Sequence, residues 1–510
     1  MLDETEAYFR HAKHYLRIAS MASKLCEEGN NFANGFALFM QDWPNVKRGW
    51  QWAQNRTPHD ESAASLCTEY LIQSRHLVRT SSPPPDLVHL IEASLATAIQ
   101  RGDRAAENIA LGALGLIFFS QGQYKDAERL YDRLLANRDP EILNVASTLY
   151  GLGLIYRHQG RYEEAEDRQR VALAIRQDVL GPTHFVTAMS LGSLASLYLS
   201  LGRHEEALPL LRRCVTAYEQ MQWSEHPDMA ASLNNLGSYY ESQGQYEQAD
   251  SLYKRALAIF EKALGSEHAE TAGSLSNLAS LGTALGRYAE AEPLCRRALA
   301  IFEKALGSEN PKTAMSLGRL ASIYRFQGRL EEAEPLYQRA LAVCEEALGS
   351  EHTETATSLS NLASLYTSSE RYAEAEPLYR RALLIYEKNL GPEHTETATA
   401  LNNLGYLHYS QGRSAEAEPL YQRALAICEK QLGPEHAQTG RTVNNLAVLY
   451  LSQGKYTKAE PLLRRALSIQ EKALGPNHPY TATCRENLMI LYTFQRLFGE
   501  GINPISHGTI

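Results

Sequence analysis

The sequence predicts an all-α protein: a superhelical stack of helix pairs preceded by a small irregular helical domain. Three observations carry this reading. Gly265, Gly307, Gly349, Gly391, Gly433 and Gly475 fall 42 residues apart, and Gly181 keeps the same phase two periods earlier. A second comb, Gly160, Gly202, Gly244, Gly286, Gly328, Gly412 and Gly454, runs between them, with Glu370 in place of one glycine. Between the combs apolar residues recur at helical spacing, as in Tyr246, Ala249, Leu252, Tyr253, Ala256, Leu257 and Phe260. One helix pair cannot bury such a stripe alone, so neighbouring copies must stack.

The elements follow in chain order. Residues 1–100 lack the 42-residue phase, carry Trp43, Trp50 and Trp52, and end at Ser81-Ser82-Pro83-Pro84-Pro85, which reads as a hinge. Nine units follow between about 105 and 474. In each, a first helix such as the one bearing Leu275, Leu278 and Ala279 runs to a comb glycine, where positive φ can end it. In the second helix small residues recur where helices must approach closely, in the rows Ala249, Ala291, Ala333, Ala375, Ala417, Ala459 and Ala256, Ala298, Ala340, Ala382, Ala424, Ala466. Pro209, Pro293, Pro335, Pro377, Pro419 and Pro461 sit about six residues into that helix, where proline ordinarily costs ~3 kcal/mol. The strength of the period predicts a bend there rather than a break. An unpaired helix over 478–495, in which Leu488, Leu491 and Tyr492 continue the first-helix stripe, is expected to cap the stack, with a flexible tail over 499–510.

The pattern L-x-x-L-[GA]-x-x-Y followed by G-x-Y-x-x-A-x-x-x-[YCL]-x-x-A resembles the tetratricopeptide repeat. Its 42-residue spacing, with L-N-N-L-[GA] and A-E-P-L-Y-[RQ]-R-A-L, is similar to the kinesin light chain type. The resemblance implies a right-handed superhelix whose first helices line a concave groove. Within residues 1–100, Tyr8-Phe9-Arg10-His11-Ala12 and Asp42-Trp43-Pro44-Asn45-Val46 resemble the helical segment before the repeats of STAND-type signalling ATPases, whose nucleotide-binding core this sequence does not contain.

Composition narrows the function. Fifty basic against 59 acidic side chains give a net charge of −9, which supplies no field for a polyphosphate and argues against nucleic acid as a partner. The longest uncharged apolar stretch, Ile109 to Phe119, is about half a bilayer span, and Met1-Leu2-Asp3-Glu4-Thr5-Glu6 is acidic where a secretory signal is basic. Seven cysteines without a C-x-x-C pair fit reduced thiols, so a cytoplasmic protein off the membrane is expected. Cys214, Cys295, Cys344 and Cys428 replace core positions and read as packed thiols. Motifs for phosphate cradles, zinc hydrolysis and nucleophilic serine are missing, so no enzyme activity and no cofactor are expected.

His184, His226, His268, His352, His394, His436 and His478 recur every 42 residues or a multiple of it, an arrangement that invites a metal. Equivalent positions in stacked helix pairs lie about 16–20 Å apart, whereas zinc holds nitrogen at roughly 2 Å. Asn310 takes one position of the row, and His226, Asn310 and His478 each precede proline, so the row reads as helix N-caps.

The asparagines carry the functional signal. Asn235, Asn277, Asn361, Asn403, Asn445 and Asn487 share one phase of the first helix, although asparagine is a poor helix former. A carboxamide offers a donor and an acceptor that match peptide N–H and C=O whatever the side chains. The phase resembles the asparagine ladder of O-GlcNAc transferase and the groove asparagines of kinesin light chain, which implies a peptide-binding groove. The bland alternative is a set of hydrogen bonds bracing one repeat on the next. Arg319 interrupts the ladder, Asn234, Asn402 and Asn444 add a second amide beside three rungs, and Arg319 and Arg325 offer sites for an acidic residue. Ser238, Ser280, Ser322 and Ser364 give way to Tyr406 and Val448, so the groove turns more apolar toward its C-terminal end. The reading is a scaffold that binds an extended or disordered segment of a protein partner. A regulatory subunit of a STAND-like system with a separate NTPase is the second class, and an enzyme with an unrecognised groove site the third.

Overall fold

The computed structural model describes residues 4–27, 32–57, 60–74, 84–137 and 141–498. These form twenty-three helices and no strand. The hinge expected at Ser81-Ser82-Pro83 and the tail 499–510 lie outside the described residues. No described helix is long and apolar enough to cross a membrane.

Four helices precede the repeats: α1 (Glu4–Glu27), α2 (Phe32–Arg56), α3 (Glu61–Gln73) and α4 (Pro85–Arg101). Trp50 is fully buried, stacked on Tyr70 at 5.7 Å, and its indole N–H donates to Ser94 Oγ. This core is continuous with α5 (Arg104–Ser120) through Ala110, Leu114 and Ile117.

Helix pairs then alternate from α5 and α6 (Tyr124–Ala136) through α7 (Ile142–His158), α8 (Tyr162–Leu180), α9 (Phe185–Ser200), α10 (His204–Gln220), α11 (Pro227–Ser242) and α12 (Tyr246–Leu264). They continue with α13 (Ala269–Ala284), α14 (Tyr288–Leu306), α15 (Pro311–Phe326), α16 (Leu330–Ala347), α17 (Thr353–Ser368) and α18 (Tyr372–Asn389). The last pairs are α19 (Thr395–Ser410) with α20 (Ser414–Gln431) and α21 (Ala437–Ser452) with α22 (Tyr456–Leu474), followed by the single helix α23 (Pro479–Phe498).

The small-residue rows do what their spacing implied. Every alanine from Ala249 to Ala459 and from Ala256 to Ala466 in the two rows is buried. Where the partner is a tyrosine the facing helix uses glycine: a Cβ on Gly151 would stand 2.5 Å from Tyr131 Cζ, and one on Gly115 2.7 Å from Tyr131 Cε2. The recurrent prolines do not interrupt their helices. Pro293 and Pro335 lie on the solvent face, so the carbonyl left without a helical N–H is the one water can reach. On that outer face Glu292 pairs with Arg296 one turn on, and also with Arg329 of the next pair at 3.1 Å. Arg371–Glu334 and Arg413–Glu376 repeat the second contact at 2.8 and 2.9 Å. The charged face therefore runs between repeats as well as along each helix.

Each first helix from α9 on begins on a built cap, whereas Glu141 before α7 makes no side-chain cap bond. Nδ1 of His394 accepts the Glu396 N–H at 3.1 Å, and the other histidines of the row cap in the same way. Asn310 does so with Oδ1, at 2.9 Å from Lys312 N. A threonine three residues on closes the preceding loop, as Thr397 Oγ1 donates to Gly391 O at 2.8 Å. Among the described residues no group of histidine, cysteine and carboxylate side chains is arranged to hold a metal ion.

The caps also do something periodicity does not reveal. With Nδ1 accepting, Nε2 carries the proton, and it donates to a carbonyl 194 residues earlier. His394, His436 and His478 reach Ser200 O, Ser242 O and Ala284 O at 3.1, 2.9 and 2.8 Å. Tyr162 and Thr353 hydroxyls meet at 3.0 Å across the same seam. The superhelix thus closes on itself after about four and a half periods, each cap seated on the end of a helix one turn below. The N-terminal helices join this register: Phe32, also 194 residues away, packs edge-on against the His226 ring at 4.9 Å, and Cys26 and Phe32 cluster with Ala263.

Candidate functional site

First helices of successive pairs touch one another along the array, whereas successive second helices make no comparable contact among the described residues. The array therefore curves with its first helices inside, and seam closure turns that concave side into a lumen. Burial raises the carboxyls of Glu241, Glu354 and Glu396, the last even though its side chain is open to the lumen solvent, because protein surrounds it on all sides. Burial lowers Arg157 in the same space.

The ladder asparagines stand on this inner wall, all half-buried, and they divide into two groups. Asn445 Nδ2 donates to Asn402 Oδ1, and Asn487 Nδ2 to Asn444 Oδ1, each at 3.1 Å. At the C-terminal end the amides thus brace one repeat on the next, and Asn444 is buried. Asn235, Asn277, Asn361 and Asn403 make no side-chain hydrogen bond to any described residue, so their donors and acceptors face the lumen uncommitted. Asn234 donates to Ser274 Oγ at 2.8 Å, and Arg319 to Ser276 Oγ. Arg325 lies over the Phe326 ring at 4.3 Å, and Tyr406 is 48% exposed beside Tyr409. The ladder is one surface, part scaffold and part free amides.

Sequence reading passed over Arg157 and Arg441, inner-wall cations on α7 and α21. A signal existed for the second: Arg441 stands where Thr357 and Thr399 stand in earlier periods. The thiols are inert packing. All seven cysteines are buried and none is in a disulfide among the described residues, and burial raises Cys214, Cys295 and Cys344 to about 11.

With this geometry in place the family follows. The tetratricopeptide repeat pattern matches residues 144–220, 270–346, 313–388, 354–430, 396–472 and 438–499, and further forms of it match 229–270 and 110–142. The chain belongs to the tetratricopeptide repeat family, whose arrays serve as protein-interaction scaffolds. Among solved structures it is similar to a kinesin-light-chain-type protein of Podosopora anserina with nearly identical TPR-like repeats, at 31% identity, 40% of this chain, 97% of that one and a TM-score of 0.33. BtubC (BKLC) from P. vanneervenii matches at 27% identity over 47% of this chain and 93% of its own, TM-score 0.34. A Rap protein complexed with Competence and Sporulation Factor matches at 15% over 70% and 99%, TM-score 0.48. Comparison with curated proteins gives no match.

Proposed function

We propose that the chain is a non-enzymatic scaffold that holds an extended segment of a partner protein in its lumen, gripping the segment's backbone with Asn235, Asn277, Asn361 and Asn403. The observation that carries this is that these four amides have no hydrogen-bond partner among the described residues, while the two rungs that follow are satisfied within the fold. An extended peptide presents N–H and C=O groups in alternation, which suits amides repeated along a wall. Arg319 and Arg325 interrupt the row with positive charge and favour an acidic residue in the segment.

The test is a displayed peptide library selected on the full chain, followed by titration of the winners against N361A/N403A. At about 0.5–1.5 kcal/mol net for each hydrogen-bonded amide, the double variant should bind about five- to a hundredfold more weakly. Its melting temperature should hold, since no bond within the fold is removed and alanine is the better helix former. Selection of no enriched peptide, or equal affinity of both proteins for the winners, defeats the reading.

A further inference from the structure

The seam encloses a second feature that the ladder does not use. Between α13–α15 on one superhelical turn and α21–α23 on the next lies a cavity of about 350 Å³. Arg319 enters it from the lower turn and Arg441 from the upper. Its walls are rings: Tyr246, Tyr480, and the pair Tyr288 and Phe326, stacked at 5.3 Å and 7°. The Arg441 guanidinium lies 5.4 Å from the centre of the Tyr480 ring.

Neither arginine has a carboxylate within ion-pair distance among the described residues. Glu241 and Glu354 act on Arg319, and Glu396 on Arg441, only from farther away; Arg319 spends one N–H on Ser276 and Arg441 one on the Tyr480 hydroxyl. At Arg441 ring hydroxyls rather than a carboxylate offset the desolvation of the guanidinium, so the ionic partner of both cations is still to be supplied, and a bound anion would supply it. Two such cations from separate turns, walled by aromatic faces, specify a ligand with charge at one end and a flat ring at the other.

We infer that this inter-turn cavity is a binding site for an aromatic anion, an aryl phosphate or aryl carboxylate, held by Arg319 and Arg441 with its ring among Tyr246, Tyr288, Phe326 and Tyr480. Such a ligand ties two superhelical turns together and so fixes the closed form of the array. The inference shares Arg319 with the peptide reading but needs no ladder amide, and its test uses no selected peptide; Arg441 lies off the ladder, so R441Q tells the failure of one reading from the failure of the other.

Calorimetric titration of the full chain with phenyl phosphate tests it, with inorganic phosphate and benzyl alcohol as half-ligands. Phenyl phosphate should bind at least tenfold tighter than either half. R319Q and R441Q should each weaken it at least tenfold, with helicity by circular dichroism confirming that they fold. Should one variant unfold, the other decides. R157Q, which alters a lumen cation outside the cavity, should leave the affinity unchanged. A phosphotyrosine pentapeptide with glycine flanks separates the sources: binding as tight as phenyl phosphate points to a partner's side chain, and exclusion of the peptide points to a free small molecule. No heat with phenyl phosphate at millimolar concentration, equal binding of inorganic phosphate, or equal loss in R157Q overturns the inference.

Discussion

Replacing His394, His436 and His478 by asparagine should cut the seam while leaving every helix cap in place. The chain contains its own precedent: Asn310 occupies the same phase, accepts the Lys312 N–H at 2.9 Å, and leaves its Nδ2 buried without a partner beside Gly122. Asparagine is also among the preferred cap residues, so the first turns of α19, α21 and α23 lose nothing. What is lost is three N–H to carbonyl bonds across turns, at 3.1, 2.9 and 2.8 Å. At about 0.5–1.5 kcal/mol net each, the triple variant should be less stable by about 1.5–4.5 kcal/mol in urea unfolding. Its radius of gyration by small-angle X-ray scattering should rise as the turns part. His184→Asn is the control, since His184 caps α9 but makes no seam bond to a described residue, and it should change neither quantity. A triple variant as stable and as compact as the parent, or a control equally damaged, would falsify the seam as a structural bond.

Further outcomes follow from the same contacts. The seam histidines should make stability pH-dependent: burial lowers His394 to about 4 and pushes His436 and His478 below their ordinary value, so the unfolded chain takes up protons first. Their contribution is therefore complete above about pH 6.5 and is lost as the pH falls toward 4, by up to about 3 kcal/mol for His394. The raised carboxyls Glu241, Glu354 and Glu396 oppose this, gaining stability as they protonate, so the comparison to measure is parent against the triple asparagine variant in urea from pH 7 to 4. N445A/N487A should lower the melting temperature, because it removes bonds made within the fold, and no change would mean those bonds brace nothing. Glu370 holds φ at 59° where the comb otherwise has glycine, so E370G should stabilise by about 1 kcal/mol in urea unfolding, and a loss would show that its side chain repays the strain. Deleting 478–510 should lower the melting temperature or cause aggregation, since it removes Leu491, fully buried in the last core cluster, whereas deleting 500–510 should do neither.

The repeat was legible because its causes are local. A stripe of apolar residues, a glycine at each helix end and a cap residue before each first helix are all written within 42 residues, and the helices form where those signals stand. Reading the histidines as caps also depended on local evidence, Asn310 in the row and the prolines beside three members. Their second role was invisible because the number of repeats in one superhelical turn comes from a small rotation accumulated over four or five pairs. No spacing in the sequence states that rotation, so Nε2 of His394 and the carbonyl of Ser200 could not be matched in advance. The ladder was half legible for a related reason: identical asparagines at identical phase differ by what stands 43 residues earlier, which is Asn402 and Asn444 for the two bonded rungs, Gly192, Gly318 and Ser360 for Asn235, Asn361 and Asn403, and for Asn277 an Asn234 whose amide goes to Ser274 instead.

Solenoids are ordinarily coupled only between nearest neighbours, so that stability adds along a line. Seam closure adds a second direction of coupling, from each helix start to a helix end 194 residues earlier. The N-terminal helices then matter to the middle of the array, because Phe32 and Cys26 meet His226 and Ala263 as the first seam contact. On the reading proposed above, a partner segment would enter the lumen either through its ends or by parting the seam. The three histidine bonds, at about 1 kcal/mol each, are only part of the cost of parting, to which the Tyr162–Thr353 bond and the packing of Phe32 on His226 and Ala263 add. Together these contacts keep the empty array closed. From α9 on the caps are histidine in all but one described copy, and in three of them, His394, His436 and His478, the second imidazole nitrogen reaches across the turn, a reach that Asn310, its Nδ2 unpartnered, does not make.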